Sequence, residues 1–318
     1  MSNTESNAIR VINADYILET IKPRAADIHK GQCGRLLIVA GSHGMAGAAV
    51  LCARGAFRSG AGLVSVSVLE ELFPVIHGGV PEATCVGRDL ASLDLSAFSA
   101  VAMGPGLGNT ENTAGLVRFV LKSYGGTLVL DADALNVIAG DSILTGMLRA
   151  RARRPCGAAI ITPHPGEAAR LLGFGSSDRL RDRTESAREL AALTGAICVL
   201  KGARSLIALP EGDLRINETG NPGMATGGSG DVLTGAITAL AGQGLRAEDA
   251  ALAGVYLHGL AGDIAAARIG EYGLTASDIA EALALAIDRS IKKPDGRKPD
   301  GKARKRGDMR GKQSEELS

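Results

Sequence analysis

An α/β fold, with a doubly wound, mainly parallel sheet and helices on both faces, is predicted by three observations. Six short runs of apolar and β-branched residues recur along the first two-thirds of the chain, helical patterns separate most of them, and each run ends in glycine or a polar residue. A strand covered by helices on both sides needs apolar side chains on both faces, so it reads as a continuous run and not as an alternation.

In chain order these runs are "RLLIVA" (35–40), "LVSVSV" (63–68), "AVAM" (100–103), "TLVLDA" (127–132), "AAIIT" (158–162) and "ICVLK" (197–201). The segment "SLIALPEGDLRIN" (205–217) reads instead as a hairpin turning at Pro210 to Asp213. From Asp231 the residues Leu233, Ala236, Ile237 and Leu240 fall at i, i+3, i+4 and i+7, the spacing of one helical face. Two more helices are expected over 247–268 and 275–289.

Composition narrows the function classes. A chain of 318 residues with 45% hydrophobic content can bury one large core or two moderate ones, and 22% charge is ordinary for a soluble protein. With no tryptophan and 3% aromatics it offers few stacking platforms, which argues against single-stranded nucleic acid as a partner. The five cysteines, Cys33, Cys52, Cys85, Cys156 and Cys198, are odd in number and form no CxxC pair, so a reducing cytoplasm is expected, without disulfides or zinc. The start "MSNTESNAIR" has no signal-peptide pattern, and the apolar region 46–69 is broken by Arg54 and Arg58, so no membrane span is expected. Residues 289–318 carry 11 Lys/Arg against 5 Asp/Glu and leave the first 288 net acidic. We therefore expect one domain over 1–288 and a basic, disordered tail over 289–318.

The strand ends carry the chemistry. They present Gly41 and Ser42; Gly104, Pro105, Gly106 and Asn109; Asp131, Asp133 and Asn136; His164 and Glu167; Lys201 and Gly202. A doubly wound sheet gathers such ends along one edge, where ligands bind. The segment "GNPGMATGGSGD" (220–231) places Gly227, Gly228 and Gly230 at a helix start, where bare amides and the positive end of the helix dipole suit a phosphate. Asp231, in the first helical turn, would repel an anion lying against it. The economical role for its carboxylate is general base, taking a proton from a substrate hydroxyl while the glycine loop neutralises a transferring phosphoryl group. No GxxxxGK[ST] occurs, and "GPGLG" lacks the dinucleotide-fold GxGxxG spacing.

The "GGSGD" turn before a late helix resembles that of the ribokinase-like superfamily. The ordered set "HKGQCGRLLIVAGS", "GAFRSGAGLVSV", "MGPGLG", "DADALN", "TPHPGE", "LKGARS" and "GNPGMATGGSGD" closely resembles the ADP/ATP-dependent NAD(P)H-hydrate dehydratases, over roughly 29–286. That resemblance implies repair of nicotinamide cofactors hydrated on the dihydropyridine ring, with a nucleoside di- or triphosphate and Mg²⁺, and release of phosphate. It implies substrate contacts at Ala48, Ala49, Gly106 and His164, with Asp231 as the catalytic base. It implies nucleotide contacts at Lys201, Gly202, Ala203, Arg204, Ser205, Gly227, Gly228 and Gly230, and Mg²⁺ reached from Glu167 through water. Family members commonly form homo-oligomers, and a chain without the epimerase region favours ADP. Asp131, Asp133 and Asn136 stay undivided between a metal role and helix capping, and His258 reads as packed. Two other functions share these residues: a hydroxymethyl-pyrimidine or thiazole-alcohol kinase, and a nucleotide-sensing module whose basic tail recruits nucleic acid.

Overall fold

The computed structural model describes residues 9–154, 157–180 and 182–292. Cys156 and the tail from Lys293 onward lie outside the described residues.

One ten-stranded sheet organises the chain. Its strands are β1 (Arg10–Val11), β2 (Arg35–Val39), β3 (Leu63–Ser67), β4 (Thr84–Val86), β5 (Ala100–Met103), β6 (Thr127–Leu130), β7 (Ala159–Ile161), β8 (Ile197–Leu200), β9 (Leu206–Ala208) and β10 (Leu214–Ile216). Their spatial order is β1-β10-β9-β8-β7-β6-β5-β2-β3-β4. Pairing is parallel except at β8–β9 and β9–β10, so the expected hairpin is present, closed by Leu209 N–H on Asp213 O at 2.9 Å. All six expected inner strands form, trimmed by one or two residues at some ends. The two edge strands, β1 and β4, were not expected; they hold two and three residues and carry no run of buried apolar side chains.

The helices are α1 (Ala14–Thr20), α2 (Ala46–Arg58), α3 (Phe73–Gly79), α4 (Glu111–Ser123), α5 (Asp133–Gly140), α6 (Ser142–Arg151), α7 (Pro165–Leu171), α8 (Arg183–Thr194), α9 (Ser229–Gly242), α10 (Ala247–Ile269) and α11 (Ala276–Ile291). The last of these runs into the region expected as tail and ends with Lys292 paired to Asp288.

Strand alternation divides the core into two layers. Leu36, Ile38, Ala100, Ala102, Val129, Ile160 and Val199 face α2, α9, α10 and α11, whereas Leu37, Val39, Val101, Met103, Leu128, Leu130, Ile161 and Leu200 face α4 to α8. Helix α10 is long and apolar enough to cross a membrane, but two-thirds of that apolar window is buried against neighbouring helices.

Helix α9 is the centre of one layer. Every residue from Val232 to Gly242 is buried, so the helix is enclosed on all sides, with only Thr234 and Thr238 polar in that stretch. It crosses β2, β5 and β6 and packs closely on α2. That closeness rests on two glycines: a Cβ at Gly235 would lie 1.9 Å from Cys52 O, and one at Gly55 would lie 2.4 Å from Val232 O.

Candidate active site

Strand order locates the site before any side chain is considered. From β2 the chain winds one way to β3 and β4, then returns to the other side of β2 for β5, β6, β7 and β8. The crevice outside the carboxyl ends of β2 and β5 is therefore the topological switch point of the sheet. Two backbone bonds hold it: Gly41 N–H donates to Pro105 O at 2.8 Å and Gly104 N–H to Val39 O at 3.1 Å. Gly106, at φ +62, meets the start of α2; a Cβ there would sit 2.8 Å from Met45 O and 2.9 Å from the Ala48 Cβ. Gly106 and Ala48 are thus neighbours across this crevice. Ala49 is fully buried, with its methyl in the core.

Next along the same edge lies a cluster of charges. Asp131, 1% exposed at the end of β6, accepts a bond from Lys201 Nζ at 2.7 Å on one oxygen and from Thr234 Oγ1 at 2.7 Å on the other. Lys201 lies just beyond β8, and its ammonium is also 3.9 Å from Glu167 Oε2. Desolvation pushes Lys201 down, but the Asp131 carboxylate, then Glu167, outweigh it and hold the lysine above its ordinary value. The backbone beside Asp131 is strained, with Ala132 at φ 49 as the residue before α5.

Asp231 faces this cluster from the first turn of α9. Its carboxyl is raised from 3.8 to about 7, chiefly by desolvation and then by the Asp131 charge; Lys201 opposes the rise, and Asp133 and Glu167 add to it. An acid with a pKa near neutrality can both accept and release a proton at working pH.

The glycine turn leaves the helix start open. Gly228 occupies the cap position at φ 88 and offers no side-chain acceptor, so the amides of Gly230 and Asp231 are unclaimed by a cap. A side chain at Gly228 would run into Leu51 Cδ1, at 2.3 Å, and one at Gly230 would crowd Lys201 Nζ, at 3.2 Å. Gly227 is exposed, with open space around its α-carbon.

Beside the charges opens a cavity of about 690 Å³. Lys201, Gly202, Ala203, Arg204 and Ser205 line it, with Ser229 and Gly230 of the turn, and His164 and Pro165 at the start of α7. Its far wall is the 217–225 loop, and an ion pair between Arg204 and Glu218 joins that loop to the 201–205 loop. This volume fits a nucleotide-sized ligand. The structure so brings together the residues expected for the nucleotide, except that Gly227 and Gly228 stand at the turn outside the cavity lining.

His164 lines the cavity and also caps α7. Its Nδ1 accepts from Gly166 N–H at 2.9 Å, its Nε2 lies 3.2 Å from Glu167 Oε1, and Glu167 Oε2 accepts from the His164 amide at 2.8 Å. Glu167 is thereby engaged at both oxygens. Asp133 holds the loop after β5, accepting from Gly108 N–H at 2.7 Å, and Asn136 ties α5 to α7, accepting from Arg170 Nε at 2.9 Å. His258 is buried, lines the cavity next to Ser229 at 3.4 Å, and is lowered to about 4 by burial.

Two participants escaped the sequence reading. Thr234 was visible only as a hydroxyl in an apolar helix one turn after Asp231. Arg183 carried no local signal, since it acts on a loop twenty residues away.

The architecture, a mostly parallel sheet with a glycine turn opening a late helix over its strand ends, is ribokinase-like. A sequence profile described as NAD(P)H-hydrate dehydratase matches residues 36–285. The chain is 40% identical over 276 residues to the ADP-dependent (S)-NAD(P)H-hydrate dehydratase of Neisseria meningitidis, covering 85% of this chain and 90% of the relative. It is 41% identical over 292 residues to the bifunctional NAD(P)H-hydrate repair enzyme Nnr of Moorella thermoacetica, covering 87% of this chain; it spans about half, 54%, of that relative's length, as it does for other bifunctional relatives. Among solved structures, the ADP/ATP-dependent NAD(P)H-hydrate dehydratase of Bacillus subtilis, co-crystallised with ATP and Mg²⁺, superposes with a TM-score of 0.79 at 34% identity, over 89% of this chain and 99% of that one. This chain belongs to the NAD(P)H-hydrate dehydratase family.

Proposed function

We propose that the chain dehydrates hydrated NADH or NADPH with ADP as co-substrate, regenerating the reduced cofactor and releasing AMP and phosphate. The observation that carries this reading is Asp231, poised near neutrality beside amides that no cap claims.

The hydroxyl oxygen of the hydrate attacks the terminal phosphorus of ADP as Asp231 accepts its proton, and the bond to the AMP oxygen breaks. Hydroxide is a poor leaving group and phosphate a good one. The ring nitrogen's lone pair then expels phosphate, and loss of a proton from the adjacent carbon restores the ring double bond. In this reading the hydrate lies at the switch point by Ala48 and Gly106, the nucleotide fills the cavity along Lys201 to Ser205, and the Gly227–Gly230 turn takes the transferring group. Lys201, held charged by Asp131, offsets negative charge between the two.

Mg²⁺ fits as a passenger of the nucleotide phosphates. Among the described residues no group of three His, Cys, Asp or Glu side chains converges as a ligand set, and Glu167 is already engaged with His164, so its reach to the ion is through water. When bound, the ion supplies charge neutralisation on the phosphates.

We assign the activity to the domain expected over 1–288, which α11 carries on to Ile291. A homo-oligomer in a reducing cytoplasm belongs to the same proposal, in keeping with the four free cysteines among the described residues. The test mixes hydrated NADH or NADPH, nucleotide and Mg²⁺. Near-ultraviolet absorbance of the dihydronicotinamide should return, and inorganic phosphate should be the phosphorus product by NMR. A stable phosphorylated alcohol as product would make the chain a small-molecule kinase instead.

A further inference from the structure

Arg183 opens α8, where a cation opposes the helix dipole, and its guanidinium is turned inward to main-chain carbonyls. Nη1 donates to Ala203 O at 2.7 Å, and Nη2 to Leu200 O and Lys201 O, both at 3.4 Å. Its Nε is buried without a partner, and among the described residues no carboxylate pairs with it. Desolvation lowers its pKa, so this charge is held at some expense.

Two of these carbonyls, Lys201 O and Ala203 O, belong to the loop that lines the nucleotide cavity, while Arg183 itself is absent from that lining. In a trans peptide the N–H points opposite the C=O. Drawing Lys201 O and Ala203 O toward Arg183 therefore turns the amides of Gly202 and Arg204 the other way, and among the described residues neither amide has an acceptor. The loop accepts two unusual conformations to do this, φ +147 at Gly202 and φ 56 at Arg204. A Cβ on Gly202 would lie 2.8 Å from Arg183 Nη2.

We propose that Arg183 is a positioning residue for the nucleotide phosphates: it clamps the carbonyl side of the 201–205 loop so that the Gly202 and Arg204 amides are presented to an anion in the cavity. This rests on the nucleotide reading above. Its effect is on binding of the donor and not on the proton transfer at Asp231.

The test titrates the full chain with ADP by calorimetry and follows steady-state turnover. Arg183→Ala should weaken ADP binding about tenfold or more, as expected for losing charge-assisted bonds that order a loop. It should raise KM for ADP in step, with kcat and KM for the hydrate little changed. Millimolar guanidinium should recover the affinity, and Arg183→Lys should recover little, because an ammonium lacks the planar fork. Arg183→Gln, which keeps much of the side chain's length but lacks the charged fork, should give the same split and serves if Arg183→Ala does not fold. ADP affinity within about twofold of the wild type in either variant overturns the proposal. So does a loss that guanidinium leaves unchanged while KM for the hydrate rises equally. Wild-type protein that binds no ADP overturns the nucleotide reading itself, a result separate from equal binding by wild type and variant.

Discussion

Asp231→Asn should make the protein inactive and more stable at once. The carboxyl sits near 7 in the fold against an ordinary value of 3.8, so folding takes up a proton between about pH 4 and pH 7. The raised value means that stability from this group falls as pH rises through that window, and the full penalty stands above pH 7. At about 1.4 kcal/mol per pH unit the ceiling is about 4 kcal/mol, the opposing pull of Lys201 being already contained in the value of about 7. An amide of the same shape carries no charge to desolvate. At about 2–4 °C per kcal/mol the variant should melt several degrees above the wild type at pH 8. The gap should narrow by roughly half at pH 5.5, where the wild-type carboxyl is mostly protonated in the fold. Turnover should fall by about 10²–10⁴, the usual worth of a positioned base, while ADP binding persists. Thermal unfolding at the two pH values and a single-turnover assay together decide it. A variant that melts below the wild type at pH 8 would show that Asp231 is comfortable as an anion; unchanged turnover would remove it from the chemistry.

Turnover of the wild type should rise with pH and reach half its plateau near pH 7, since only ionised Asp231 accepts a proton; a flat profile between pH 6 and pH 8 would contradict the base assignment. Lys201→Met should strand Asp131 and Glu167 and destabilise the fold by about 3–5 kcal/mol in denaturant titrations. Because Lys201 holds the Asp231 value down, residual activity in that variant should need a higher pH. Gly228→Ala combines a left-handed backbone at φ 88 with a contact 2.3 Å from Leu51 Cδ1, and should lose about 1–3 kcal/mol of stability together with nucleotide affinity, read by melting and calorimetry.

What was legible in the sequence followed from strong local constraint. Strands buried on both faces must be apolar throughout, so β2, β3, β5, β6, β7 and β8 stood out, whereas β1 and β4 sit at sheet edges and need no such run. The "GGSGD" turn was legible because a left-handed cap pressed against Leu51 tolerates only glycine. The Asp131–Lys201 pair was not, because it depends on two strands that share only the neighbour β7, seventy residues apart in sequence. The two prolines around His164 marked an extended residue correctly. They did not reveal that both ring nitrogens would be engaged at the start of α7, a task usually left to serine, threonine or aspartate.

The glycine seam between α2 and α9 bears on how such a site could work at all. Main chain touching main chain at Gly55 and Gly235 leaves no side-chain layer to slide or reshuffle, so the helix that begins beside Gly106 and the helix that begins at the glycine turn behave as a single strut. On the proposed function, the interval between substrate hydroxyl and Asp231 is then fixed when the chain folds. Adjustment to incoming ligands is left to the perimeter, the 201–205 and 217–225 loops that the Arg204–Glu218 pair tethers.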